Sequence, residues 1–153
     1  METNKTFWPL FAPQILITSR AWRRALNTML SEHNLSDATA TPLIALLRHG
    51  DRVPQGVLAE RVGVEGPTLV RVLDGLENDG LIVRVPSDSD RRIKLIQFTE
   101  EGLAVAERCE RCAATLREQM LGDFDPQQVR AAFDLMCEIA RKAASISGSS
   151  GDE

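Results

Sequence analysis

The sequence predicts a mainly α-helical fold that carries one small β-hairpin, and three observations predict it. Residues 55–78 hold two short amphipathic segments separated by Gly63-Val64. Two β-branched-rich runs, 81–85 and 93–98, follow directly and flank the polar stretch Asp88-Ser89-Asp90-Arg91-Arg92. Both ends of the chain carry long segments of helical apolar period. Helix, turn, helix and hairpin in that order form the layout of a winged helix-turn-helix, in which one helix is shaped for a major groove and a basic finger reaches beside it.

The elements follow in order. Over 15–33, Ile15, Thr18, Trp22, Leu26 and Met29/Leu30 recur with helical spacing, and Phe7-Trp8-Pro9-Leu10-Phe11 ahead of them is apolar enough to need a docking surface. A second helix ends near Arg48 with Gly50 as its C-terminal cap. Ser36 can cap a long version with Pro42 in its interior, or Thr41 a short one with Pro42 at its first position; propensity favours the short one. Residues 55–62 form the first helix of the motif. Gly66-Pro67 opens the second, which runs to Asn78 with Leu69, Val72, Leu73 and Leu76 as its buried stripe, and Gly80 ends it in a left-handed conformation. After the hairpin, Thr99 caps a long helix whose stripe is Leu103, Ala106, Cys109, Ala113, Leu116 and Met120. Asp125-Pro126 opens the last helix, striped by Val129, Phe133, Met136, Ile139/Ala140 and Ala143.

One domain over 1–147 is therefore expected, with the winged core at 55–98 and a disordered tail at 148–153. The helices at 7–33 and 99–146 expose more apolar surface than the small winged unit can cover, so they are read as dimerisation helices. A twofold dimer would set two readers about one DNA turn apart, matching a palindromic site.

Composition sets limits. The 153 residues, 43% hydrophobic and 26% charged, are those of a soluble globular protein. No apolar run approaches the roughly 18 residues that span a bilayer, and the first residues lack a secretory signal pattern, so no membrane partner and a cytoplasmic, nucleoid-associated location are expected. The net charge of −4 argues against nucleic acid until it is partitioned. Residues 1–47 carry net +1, 48–98 net 0 and 99–153 net −5, so the acidity lies away from the proposed reader. Arg84, Arg91, Arg92 and Lys94 against Asp88 and Asp90 leave the hairpin at net +2.

The DNA-binding candidates are Gly66, Pro67, Thr68, Val70, Arg71, Arg91, Arg92 and Lys94. Amides at a helix start suit phosphate. Arg71 offers guanine a two-toothed fork, and Pro67 and Val70 suit a thymine methyl. The bland alternative pairs Arg71 with Asp74 or Glu77 on its own helix. Arg91 and Arg92 suit a minor groove, with Asp88 or Asp90 stabilising the wing by holding one of them. An alternative regulatory role for Cys109, Cys112 and Cys137 as oxidant sensors is weak, because a disulfide across Cys109 and Cys112 is awkward within a helix and Cys109 lies on a buried stripe. The two histidines, His33 and His49, do not make a metal site, and no cofactor is expected.

Three stretches resemble the MarR family of bacterial transcription regulators, in its SlyA flavour. They are Leu58-Ala59-Glu60-Arg61-Val62-Gly63-Val64, then Pro67-Thr68-Leu69-Val70-Arg71-Val72-Leu73-Asp74, then Leu76-Glu77-Asn78-Asp79-Gly80-Leu81-Ile82. The wing is similar too, with Asp90-Arg91-Arg92 followed by Phe98-Thr99-Glu100-Glu101-Gly102. The chain departs from the pattern at Ser87, Asp88 and Glu65. The resemblance implies an obligate homodimer that binds double-stranded operator DNA, and a ligand cleft between dimer-forming helices and the DNA-binding lobe. It implies effectors such as small aromatic acids or phenolics, which release the DNA. Trp22, Arg23 and His33 on the first helix are the ligand-binding candidates: a ring surface and cations for a carboxylate. The resulting expectation is a sequence-specific repressor. Two rivals are an enzyme, which lacks any nucleophile, phosphate-loop or metal motif, and a winged helix serving only protein interactions.

Overall fold

In the computed structural model, which describes residues 5–50 and 52–148, the first long helix begins earlier than its clean period implies. A single 3-10 turn, Lys5–Phe7, leads into α1 (Trp8–Ser31). Pro9 sits in the first turn, where a missing N–H costs nothing, and Pro13 removes one bond further in. The segment of Phe7, Trp8 and Leu10 is thus helical, and all three side chains are exposed.

Ser36 decides the second helix. α2 is the long version, Asp37–His49. The Ser36 Oγ accepts from the Thr39 amide at 3.2 Å, and Asp37 complements the positive end of the helix. Pro42 therefore lies inside, against the propensity-based expectation. Burial of Ala40, Leu43, Ile44 and Leu46 outweighs the one hydrogen bond that Pro42 forfeits. Gly50 ends the helix with φ +93, as expected.

The reader follows. α3 (Gln55–Val62) ends at Gly63, left-handed at φ +72, and α4 spans Gly66–Asn78 with Leu69, Leu73 and Leu76 buried. The hairpin pairs β2 (Ile82–Pro86) with β3 (Lys94–Phe98), in the register Ile82 to Phe98 and Arg84 to Ile96. A two-residue strand unseen in the sequence, β1 (Val53–Pro54), adds to the far edge of β3, giving the order β1-β3-β2. Two residues carry no readable period. Their pairing depends on Val53 being buried opposite Ile96.

α5 (Glu100–Leu121) is fastened to the start of the hairpin. The Thr99 hydroxyl donates to the Gly80 carbonyl at 2.7 Å and accepts from the Gly102 amide at 2.9 Å, while the Thr99 amide donates to the Leu81 carbonyl at 3.1 Å. Ala106, Cys109, Ala113 and Leu116 are buried as expected, together with Val105 and Cys112, whereas Leu103 and Met120 are exposed.

The chain divides into two compact units, one ending at Leu116 and one beginning at Arg117. The first holds a core in which Leu30, Leu43, Leu46, Leu58, Leu69, Leu73, Ile82 and Ile96 are almost fully buried. In the second, α6 (Pro126–Gly148) opens with the Asp125 Oδ1 accepting from the Gln127 amide at 2.9 Å. Of its expected stripe only Val129 and Ile139 are half-buried, and Phe133 and Met136 are exposed. Gly148, assigned by sequence to a disordered tail, closes this helix, and the rest of that tail lies outside the described residues.

Candidate nucleic-acid interface

The left-handed Gly63 aims α4 across the end of α3, and α4 presents its N-terminal face outward. Gly66, Pro67, Thr68 and Arg71 are exposed and Val70 is half-buried. Glu65 makes no side-chain cap, so the amides of the first turn rely on backbone alone: those of Thr68 and Leu69 both donate to the Glu65 carbonyl, at 3.0 and 3.1 Å. Arg71 has no side-chain partner among the described residues. Both carboxylates that a merely solvated face would offer it are engaged elsewhere: Asp74 and Glu77 bind Arg84 at 2.7 and 2.6 Å.

The wing is braced by its acids. Asp90 takes the Arg92 guanidinium at two oxygens, 3.1 and 3.0 Å, and the Arg92 amide at 2.9 Å. The Arg92 side chain, then its amide, hold the Asp90 carboxyl below its ordinary pKa, so the hook stays intact at neutral pH. Of the two acids that could hold a wing arginine, Asp90 does so and Asp88 does not. Asp88 pairs instead with Arg52, at 3.1 Å, from the loop before β1. Arg52 is a non-glycine residue at φ +65, so that contact comes from an uncommon backbone conformation. Arg91 and Lys94 are exposed and have no partner among the described residues.

Behind α4 lies a cleft of about 460 Å³. Trp22, Arg23 and Leu26 of α1 line one side, Pro42 of α2 the back, and Val64, Leu69 and Val72 the side of the reader. Arg23 is bound to Asp37 at 2.7 Å, and Asp37 also accepts from the Thr41 hydroxyl at 3.0 Å. Asp37 is the buried charge among the described residues, and sequence reasoning missed it because an acid after a helix cap looks like a simple dipole partner. His33 is not part of this cleft. It lies exposed in the turn after α1, eleven residues past Trp22, which is roughly 16 Å along a helix.

The cysteines fall into two classes. Cys109 and Cys112 are buried and Cys137 is exposed. Burial, reinforced by neighbouring Cys112, pushes the Cys109 thiol up to about 11, far from the thiolate that reacts with oxidants. Native protein at pH 7.5 is therefore expected to react with a thiol-specific chromogenic disulfide at one fast site and, after denaturation, at three. Fast reaction at all three in the native state would contradict the burial. Among the described residues no group of three or more His, Cys, Asp or Glu could hold a metal, and no helix is long and apolar enough to cross a membrane.

Comparison with known proteins agrees with this fold. Residues 33–93 match the MarR family. The solved transcriptional regulator PA3341 is 38% identical, over 88% of this chain and 98% of that one, with a TM-score of 0.80. CouR from Rhodococcus jostii RHA1, solved with p-coumaroyl-CoA, is 25% identical over 83% of this chain and 89% of its own, with a TM-score of 0.76. A MarR mutant from E. coli complexed with operator DNA shares the fold at 22% identity, over 90% of this chain and 96% of its own, with a TM-score of 0.74. With its helix-turn-helix, its wing and these relatives, the chain belongs to the MarR family of DNA-binding transcriptional regulators and is not an enzyme.

Proposed function

We propose that the protein is a homodimeric repressor that binds palindromic operators and is released by a small aromatic acid or related phenolic. The observation that carries the DNA reading is the distribution of partners: Arg71 on the outer face of α4 and Arg91 at the wing tip are unpaired among the described residues, while nearby acids are engaged by other arginines. In this reading the first-turn amide of Gly66 and the Thr68 hydroxyl meet phosphate, Arg71 reads a base with Pro67 and Val70 beside it, and Arg91, Arg92 and Lys94 approach the minor groove and its phosphates. Asp90 holds Arg92 in a fixed pose.

The dimer rests on two apolar surfaces, each on its own unit. Phe7, Trp8, Leu10, Leu16 and Ile17 are exposed on the first, and Phe133, Leu135, Met136 and Ile146 on the second. Large apolar side chains grouped on exposed helix faces mark interaction surfaces. For the effector, Trp22 offers a ring and Arg23 a cation that exchanges Asp37 for a ligand carboxylate. CouR, solved with p-coumaroyl-CoA, supports the aromatic ring of this class, although the carboxyl of that ligand is a thioester. Repression follows from an operator that overlaps a promoter.

The test is selection of bound genomic fragments by the full-length protein, followed by titration of the recovered operator at two salt concentrations. Affinity is expected to fall steeply with salt and to exceed that for random duplex by at least a thousandfold. Binding with neither salt dependence nor preference would leave a protein-interaction module. Arg92→Ala is expected to weaken binding to all duplexes alike and to lower the salt slope by about two per dimer. Hydroxycinnamates and benzoates are expected to displace the operator and quench Trp22, with Arg23→Gln raising the concentration needed.

A further inference from the structure

The two proposed DNA-contacting elements, the recognition helix α4 and the hairpin, are bridged by the side chain of one strand residue. Arg84 lies on β2, an edge strand of the sheet, opposite Ile96 of β3. Its guanidinium reaches back to α4 and touches three successive turns: Nη2 is 2.7 Å from the Asp74 carboxylate and 3.4 Å from the Val70 carbonyl, and Nη1 is 2.6 Å from the Glu77 carboxylate. Glu77 also accepts from the Arg84 backbone amide at 3.1 Å. The carboxylate of the helix thus satisfies an edge-strand N–H that would otherwise face solvent. The Arg84 side chain is four-fifths covered, and its Nε is the one buried side-chain nitrogen or oxygen without a hydrogen-bond partner among the described residues.

This arrangement is poorly explained by stability alone. A covered guanidinium with an unsatisfied N–H is a costly way to fill the space between a helix and a strand. What it does provide is a fixed distance. Val70 and Arg71 are on the reading face of α4, and Arg84 holds the Val70 carbonyl and the next two turns to the strand that leads into the wing.

We propose that Arg84 is a positioning residue for specificity: it sets the spacing and angle between the recognition helix and the wing without touching DNA itself. The proposal rests on the DNA-binding reading above. With the brace in place, a wing arginine and Arg71 must engage one duplex in a single register. With it removed, each element still meets its own groove, but the two no longer exclude sites of the wrong spacing or shape. The same brace carries any shift of α4 to the wing, because Leu69 and Val72 on the other side of α4 line the cleft.

The experiment uses full-length protein, the operator recovered by genomic selection, and a random duplex of equal length. Arg84→Met is expected to raise the Kd for the operator about tenfold while changing the Kd for random duplex less than twofold, so that the ratio between them collapses. Arg84→Lys, which keeps the charge but cannot span three acceptors, is expected to recover part of the ratio. Glu77→Gln and Asp74→Asn carry the same test should Arg84→Met fail to fold, and each is expected to lower the ratio by a smaller factor. A folded Arg84→Met with an unchanged ratio would overturn the proposal, as would equal losses on both duplexes, which mark a plain loss of active protein. Failure of the wild-type chain to bind either duplex would overturn the DNA-binding reading itself, a distinct outcome.

Discussion

Gly102→Ala is expected to lower the melting temperature by about 10 °C or to leave the chain unfolded. A Cβ at this position would overlap the carbonyl oxygen of Leu81, and that neighbour is backbone, which cannot rotate away. Overpacking of this kind costs about 3 kcal/mol at the upper end of its usual range, and each kcal/mol shifts the midpoint by about 2–4 °C at this chain length. The damage would not stay local. The approach of Gly102 to Leu81 is what lets Thr99 bond both the Gly80 carbonyl and the Gly102 amide, so separating them also loosens the join between the wing and α5. Gly75 supplies the control. It is helical, and a Cβ there meets nothing within 4 Å, so Gly75→Ala is expected to stabilise the chain by up to about 1 kcal/mol. Thermal unfolding followed by circular dichroism checks both signs, and equal small effects at the two glycines would refute the close-approach account.

Arg71→Ala is expected to weaken operator binding about a hundredfold or more and to flatten base preference at one position of each half-site. The proposal gives Arg71 a bidentate contact worth roughly 1–3 kcal/mol, and a twofold dimer makes that contact twice. The truncation should leave stability nearly unchanged, because Arg71 is exposed and bonded to nothing among the described residues. Arg92→Ala, by contrast, should lower affinity evenly across sequences. Measuring both variants against the operator and single-base substitutions of it separates the two roles. Unaltered preference in Arg71→Ala would remove Arg71 from the reading surface.

Much of this was legible in the residues. Gly63, Gly66-Pro67 and Gly80 mark the ends of α3 and α4 because the left-handed backbone and the proline-compatible first turn are local requirements. The four- and three-residue spacing of Leu69, Leu73 and Leu76 identified the buried face of α4 for the same reason. Local propensity misjudged α2, where tertiary burial of Leu43 and Leu46 carries Pro42 inside the helix. It also missed β1, too short to show a period.

Charge partners were the least legible part of the site. Sequence distance offers Arg71 a partner in Asp74 or Glu77, and the wing arginines one in Asp88 or Asp90. The fold assigns Asp74 and Glu77 to Arg84, Asp88 to Arg52, and Asp37 to Arg23. The sequence by itself determined the order of elements, the reading helix and the basic wing, because helix ends, glycine turns and apolar period are written within a few residues. Only the tertiary structure decided which arginines are braced and which are free. Ion pairing falls off over a few ångströms, and those distances are set by residues far apart in the chain, 36 positions in the case of Arg52 and Asp88.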